Sequence, residues 1–132
     1  MNFRLTLASA ATAWFALMGS AQAQYHDPAT PPAVADKVFL SSDAKGVAVT
    51  EMRIQPKNGV LVVQADLLNM RHSERTVYYR FRWVDGAGNQ VGDGEAWKQL
   101  PLMGMGRQTV KSVAPSSEAS DFQLEMNVDR PR

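Results

Sequence analysis

Only two histidines, His26 and His72, stand in this chain of 132 residues, which has no cysteine. Disulfides, thiolate nucleophiles and zinc-thiolate sites are therefore excluded. General acid–base catalysis draws most often on histidine. His26 lies in a proline-rich stretch, and His72 in the run Asn69-Met70-Arg71-His72-Ser73-Glu74-Arg75. The order His72-Ser73-Glu74 resembles a nucleophilic set in name alone, because adjacent residues of an extended segment point to opposite sides and no Gly-x-Ser-x-Gly elbow is present. The segment reads as a solvated turn, and the protein as a non-enzyme without a cofactor. Asp93 and Glu95, in Gly92-Asp93-Gly94-Glu95, share a side if extended and could hold a cation weakly. A calcium loop needs more oxygen ligands at alternating positions, so no metal is assigned there.

Two further groups carry chemistry. Thioether sulfur selects Cu(I), and Met70, Met103 and Met105, with His72, are the nearest set to a carrier site; it requires two distant loops to meet at one end of the fold. Ordinary gap-filling or loop anchoring is the preferred reading of these methionines. Arg80 and Arg82 lie on one strand, with Arg71 and Arg75 close by in sequence. A guanidinium fork grips the carboxylates of a peptide or the anionic groups of a glycan polymer. The competing use is cross-strand pairing with acids such as Glu51, Asp66 or Glu125. Cross-strand pairing on a solvated face is the preferred reading; within what it leaves, Tyr78, on the same side as Arg80 and Arg82, favours a protein interface, where Tyr and Arg are enriched at hot spots.

The elements that must position these residues are strands. Val77, Tyr79, Phe81 and Trp83 fall on one face of the segment Arg75 to Val84, and Thr76, Tyr78, Arg80 and Arg82 on the other. Val60 to Asn69 is mostly apolar on both faces, as a central strand would be, and Val47 to Ile54 precedes it across a turn at Gln55 to Gly59 containing Asn-Gly. A short strand is expected at Lys37 to Leu40, a weak edge segment from Gln90 through Leu102, and two more strands at Gln108 to Ala114 and Phe122 to Val128. No sustained helical period appears. The expectation is an all-β, antiparallel two-sheet sandwich of six to seven strands, immunoglobulin-like, spanning residues 37–130.

Ahead of it, residues 24–36 (QYHDPATPPAVAD) form a proline-rich leader, expected as an extended tether. Residues 1–23 read as a secretory signal: Arg4 near the start, an apolar run from Leu5 to Met18, and Ala21-Gln22-Ala23 before the cut. That run is about 14 residues, whereas a spanning helix needs about 20. Cleavage after Ala23 leaves a periplasmic protein beginning at Gln24 with no transmembrane helix, and no cysteine at the cut to make it a lipoprotein. The chain has 14 Lys+Arg against 13 Asp+Glu, and with Arg4 removed the charges balance at 13 each. Nucleic acid is therefore not an expected partner.

The run from Val77 to Gly88, with its order Tyr79-Arg80-Phe81-x-Trp83-x-Asp85-x-x-Gly88, preceded by Leu67-Leu68-Asn69 and followed by Trp97, resembles the YcfL-like family of small bacterial envelope proteins. Val113-Ala114-Pro115 and Phe122-Gln123-Leu124 resemble its closing strands, so the likeness extends from about Phe39 to Val128. It implies an immunoglobulin-like sandwich. Family members are often exported, many as lipoproteins, and some are encoded beside an outer-membrane lipoprotein that activates a peptidoglycan synthase. The resemblance supplies no catalytic residues. Together these readings lead to a non-enzymatic periplasmic interaction module for cell-envelope assembly or maintenance, with Tyr78, Arg80, Arg82, Arg71 and Arg75 as its partner-binding residues. The alternative is a small-ligand or Cu(I) carrier.

Overall fold

The computed structural model describes residues 29–41 and 44–128. The expected signal segment with its cut after Ala23, and the leader up to residue 28, lie outside the described residues. A single helical turn, α1 (Pro32–Ala35), precedes seven strands: β1 (Val38–Leu40), β2 (Val47–Lys57), β3 (Val60–Asn69), β4 (Arg75–Val84), β5 (Lys98–Leu102), β6 (Arg107–Val113) and β7 (Asp121–Val128). They form a sandwich of two sheets, ordered β1-β7-β4-β5 and β2-β3-β6.

The aromatic strand is central because alternation gives it one wholly apolar side. Val77, Phe81 and Trp83 are buried, and β7 lies antiparallel beside them with Phe81 opposite Leu124 and Trp83 opposite Phe122. The Trp83 ring lies 6.0 Å from Phe81 and 5.8 Å from Phe122, centroid to centroid. Val47, Val49, Val63, Ala65 and Leu67 meet this cluster from the other sheet. Burying one such aliphatic or aromatic side chain contributes about 1.5–3 kcal/mol, which makes the apolar interface the main stabilising element.

β2 and β3 are joined through Asn58 and Gly59, at φ 53° and 79°. Positive φ at both central residues is the condition for the two-residue hairpin that matches strand twist. The turn is tighter than the expected Gln55 to Gly59, so β2 runs on to Lys57. Pro56 is tolerated because β2 is an edge strand. A register shift between Val49 and Glu51 keeps Val47 and Val49 facing the core while the outer half of the hairpin turns away.

Three expectations change. β1 runs parallel to β7, with Val38 opposite Leu124, so the sandwich is not wholly antiparallel. The chain leaves β1 for β2 in the other sheet, so β1 has no hairpin partner to reverse its direction. The end of the leader is not an extended tether. Pro32–Ala35 is helical, and the buried Thr30 accepts a hydrogen bond at its hydroxyl from the Val49 amide, covering a donor on the free edge of β2. Of the weak segment Gln90 through Leu102, only Lys98–Leu102 forms a strand, because the glycines at 92 and 94, both at positive φ, break the ladder before it.

Candidate functional site

The outward face of the four-stranded sheet is built by register. Glu125 stands opposite Phe39 on one side and Arg80 on the other. Arg80 donates through Nε to Glu125 at 2.9 Å, and its guanidinium carbon lies 4.2 Å from the centre of the Trp97 ring. The loop before β5 thus lays an indole over a cation that a carboxylate already holds. Two clefts flank this pair and share both residues. One, of about 580 Å³, is bounded by Arg82, Gln90, Asp93 and Glu95; the other, of about 350 Å³, by Phe39, Trp97 and Asn127. Arg82 is exposed and Tyr78 half-buried on the same face.

The five residues expected at one interface therefore divide. Tyr78, Arg80 and Arg82 share the sheet face, but Arg80 is committed to Glu125 and Trp97, as the cross-strand reading anticipated for its acid partner. Arg71 and Arg75 sit at the end of the sandwich, where both donate to the carbonyl of Lys45, Arg71 at 3.4 Å. Glu51 and Asp66, the other acids considered, pair with Arg53 on the outer face of the three-stranded sheet. Arg53 grips Asp66 with both terminal nitrogens at 3.0 Å, and this fork, with the Thr109 hydroxyl, pulls the Asp66 carboxyl down to about 2.

Glu95 does something its sequence context did not reveal. Its carboxylate turns inward, accepting from Trp83 Nε1 at 2.8 Å, Ser112 Oγ at 2.6 Å and the Phe81 amide at 3.3 Å. Trp83 and Phe81 belong to one sheet and Ser112 to the other, so this side chain clasps the two across the open flank. Burial pushes the Glu95 carboxyl up, but the donors Ser112, Trp83 and Phe81 and the charge of Lys98 outweigh it and hold the group below the usual glutamate range. Asp93 takes no part in the clasp and is exposed. The signal that could have found this role is indirect: a buried tryptophan N–H needs an acceptor.

At one end of the sandwich the two methionine-bearing loops meet. Asn69 is fully buried; its amide nitrogen donates to the carbonyls of Ser73, Leu102 and Met103, and its side-chain oxygen accepts from the Arg71 amide. The Met105 amide donates to Arg71 O at 2.8 Å, and the Asn69 amide to Gly106 O at 2.9 Å. Gly104 fits because it has no side chain, since a Cβ there would stand 2.0 Å from the His72 carbonyl oxygen. Met105 holds φ 58°, a left-handed conformation that costs a non-glycine residue about 1–2 kcal/mol. Gap-filling does not describe these methionines: Met70, Met103 and Met105 are 39%, 71% and 49% exposed. His72 is exposed beside them.

The DUF1425 pattern, described as a protein of unknown function, matches residues 35–127. The chain belongs to the DUF1425 family. A DUF1425 member from Shewanella sp. pv-4 has a similar solved structure, at 25% identity and a TM-score of 0.54 over 65% of this chain and 79% of that one. The crystal structure of Campylobacter jejuni cj0090 shares the fold, with 23% identity and a TM-score of 0.58 over 68% of this chain and 95% of its own. No curated protein matches the chain.

Within this DUF1425 domain no group of three or more His, Cys, Asp or Glu residues could hold a metal ion among the described residues. No helix among them is long and apolar enough to cross a membrane. The arrangement has groups suited to recognition. An aromatic and arginine-bearing sheet face with two clefts can seat a partner's carboxylates and apolar side chains together, and the end loops present thioethers to solvent.

Proposed function

We propose that this DUF1425 protein is a non-enzymatic interaction module of the periplasm, a YcfL-like protein serving cell-envelope assembly or maintenance. One observation carries the docking part of the reading: the outer sheet face groups Tyr78, Arg82, Trp97 and the 40%-exposed Phe39 around the Arg80–Glu125 pair, with a cleft on either side. Tyr, Trp and Arg are the residues that most often dominate binding energy. Arg80, neutralised by Glu125, serves as the scaffold that fixes the Trp97 ring. Arg82, exposed beside the larger cleft, is the cation left to meet a partner's carboxylate. Export rests on the signal-like residues 1–23, and the envelope setting on the family resemblance.

Affinity capture from envelope extract, read by mass spectrometry, tests this reading with Tyr78, Arg82 and Trp97 replaced together by alanine. Arg82 is exposed, and a surface substitution changes stability by about 0.5 kcal/mol; Tyr78 and Trp97 are half-buried and cost more, so the melting temperature of the triple variant is measured beside its capture. Loss of a central Tyr, Trp or Arg costs about 2 kcal/mol or more in binding, over twentyfold in affinity. A reproducible envelope protein captured by the wild type and lost from the folded variant is expected. Equal capture by both would remove this face as the interface.

A further inference from the structure

We infer that the end loops form a binding site for a soft monovalent metal ion, Cu(I), made by the thioethers of Met70, Met103 and Met105 with the imidazole of His72. Three observations converge on it. Six large apolar side chains are notably exposed among the described residues, and three of them are these methionines, all at one end of the sandwich. The other two methionines described, Met52 and Met126, pack against or within the core as methionine ordinarily does. Exposure of three at one place is a departure that burial does not reward.

The second observation is preorganisation. Asn69, buried and hydrogen-bonded on both sides, ties the turn that carries Met70 and His72 to the segment that carries Met103. The Met105 amide is bound to Arg71 O, and the Gly106 amide closes a tight turn on Met103 O, both at 2.8 Å. Residues far apart in sequence are thus held on adjoining turns by backbone contacts that leave the thioethers outside. The third is strain without local return. Met105 takes a left-handed conformation that glycine or asparagine would adopt at less cost, yet its side chain stays half-exposed.

The donor set decides the ion. Thioether and imidazole are neutral, polarisable ligands that suit Cu(I) over hard cations, which prefer carboxylate and carbonyl oxygen. Two of the cations on these turns, Arg71 and Arg75, are engaged at the Lys45 carbonyl. The site lies on different residues from the proposed docking face, so the two can fail separately.

The test uses the full exported protein, purified without a polyhistidine tag. Ag(I), a redox-inert probe of the same preference, is titrated while methionine methyl resonances are followed, and Cu(I) is then measured in competition with bicinchoninate. Stoichiometric binding is expected, with the methyl signals of Met70, Met103 and Met105 shifting and those of Met52 and Met126 unmoved. Met103→Leu with Met105→Leu keeps the apolar surface and removes two sulfurs; it should weaken binding at least tenfold while the melting temperature holds. Met52→Leu should change nothing. Wild-type protein that takes up neither ion overturns the inference and leaves the methionines as an apolar contact surface. Binding that survives in the folded double variant overturns it equally.

Discussion

Glu95→Ala should loosen the whole domain, although the residue lies in a loop. Three donors of the two sheets' inner side lose their acceptor, Trp83 Nε1, Ser112 Oγ and the Phe81 amide, and Lys98 loses its ion pair. Ser112 can turn its hydroxyl elsewhere at little cost. The Trp83 indole, on a residue only 2% exposed, recovers an acceptor only if water enters the space the carboxylate leaves. A buried donor left unsatisfied costs about 1–3 kcal/mol, so with the amide the total is about 2–4 kcal/mol. A domain of this size loses about 4–8 °C of melting temperature per kcal/mol, which puts the expected fall near 10 °C or more. Circular dichroism follows the melt, and tryptophan fluorescence reports whether the Trp83 environment opens. Glu95→Gln, keeping one carbonyl acceptor, should cost less. A double-mutant cycle isolates the contact: on a Trp83→Phe background, which has no indole donor, Glu95→Ala should cost measurably less than in the wild type. Because the folded carboxyl titrates below its ordinary value, its contribution is complete above about pH 4.5 and disappears as pH falls through the lowered value, so Glu95→Gln should flatten the acid limb of the stability curve. A Glu95→Ala protein melting within about 2 °C of wild type, well under the shift expected for even one unsatisfied buried donor, would refute the clasp.

Trp83→Ala, which empties the space between Phe81 and Phe122, should cost about 3–5 kcal/mol, a large share of the roughly 5–15 kcal/mol that stabilises a domain, and an unchanged denaturant midpoint would contradict its burial. Gly104→Ala drives a Cβ to 2.0 Å from a backbone oxygen, so the loops must separate; faster amide exchange at Asn69 and Met105 is expected, with Gly106→Ala milder because its nearest atom would be at 2.8 Å. Unaltered exchange at both amides would contradict the close approach.

What the sequence made legible follows from which interactions are periodic. Alternation in Arg75 to Val84 is a local property, so the burial of Val77, Phe81 and Trp83 and the outward placing of Tyr78, Arg80 and Arg82 could be read directly. The Asn58-Gly59 hairpin is equally local, since two residues of the right type suffice. Parallel pairing of β1 with β7 was not legible, because strands of three residues carry no periodic mark of direction and their partner lies more than 80 residues away. The arginines show the same divide: the face of Arg80 and Arg82 could be read, with Glu125 among the acids considered, but the place and the partner of Arg71 and Arg75 could not. Arg80 met Glu125, one of three acids considered, whereas Arg71 and Arg75 reached a backbone carbonyl that has no sequence signature.

The same reasoning explains why the roles of Glu95, considered only as a weak cation ligand beside Asp93, and of Asn69 could not be read from the sequence. Each is a polar side chain whose role is fixed by groups converging from separate strands, Glu95 from β4 and β6, Asn69 from the turns after β3 and β5. Neither has a motif, because a carboxylate or an amide in a loop is ordinary until the fold surrounds it with donors or acceptors. Both sit where the sandwich would otherwise open: Glu95 bridges the sheets along a flank, and Asn69 pins the end turns. The surfaces proposed for recognition adjoin these anchors, Arg82 across the larger cleft from Glu95 and Met70 next to Asn69. Rigid support beneath an exposed set lowers the entropy lost when a ligand binds, so loss of either anchor should weaken recognition as well as folding.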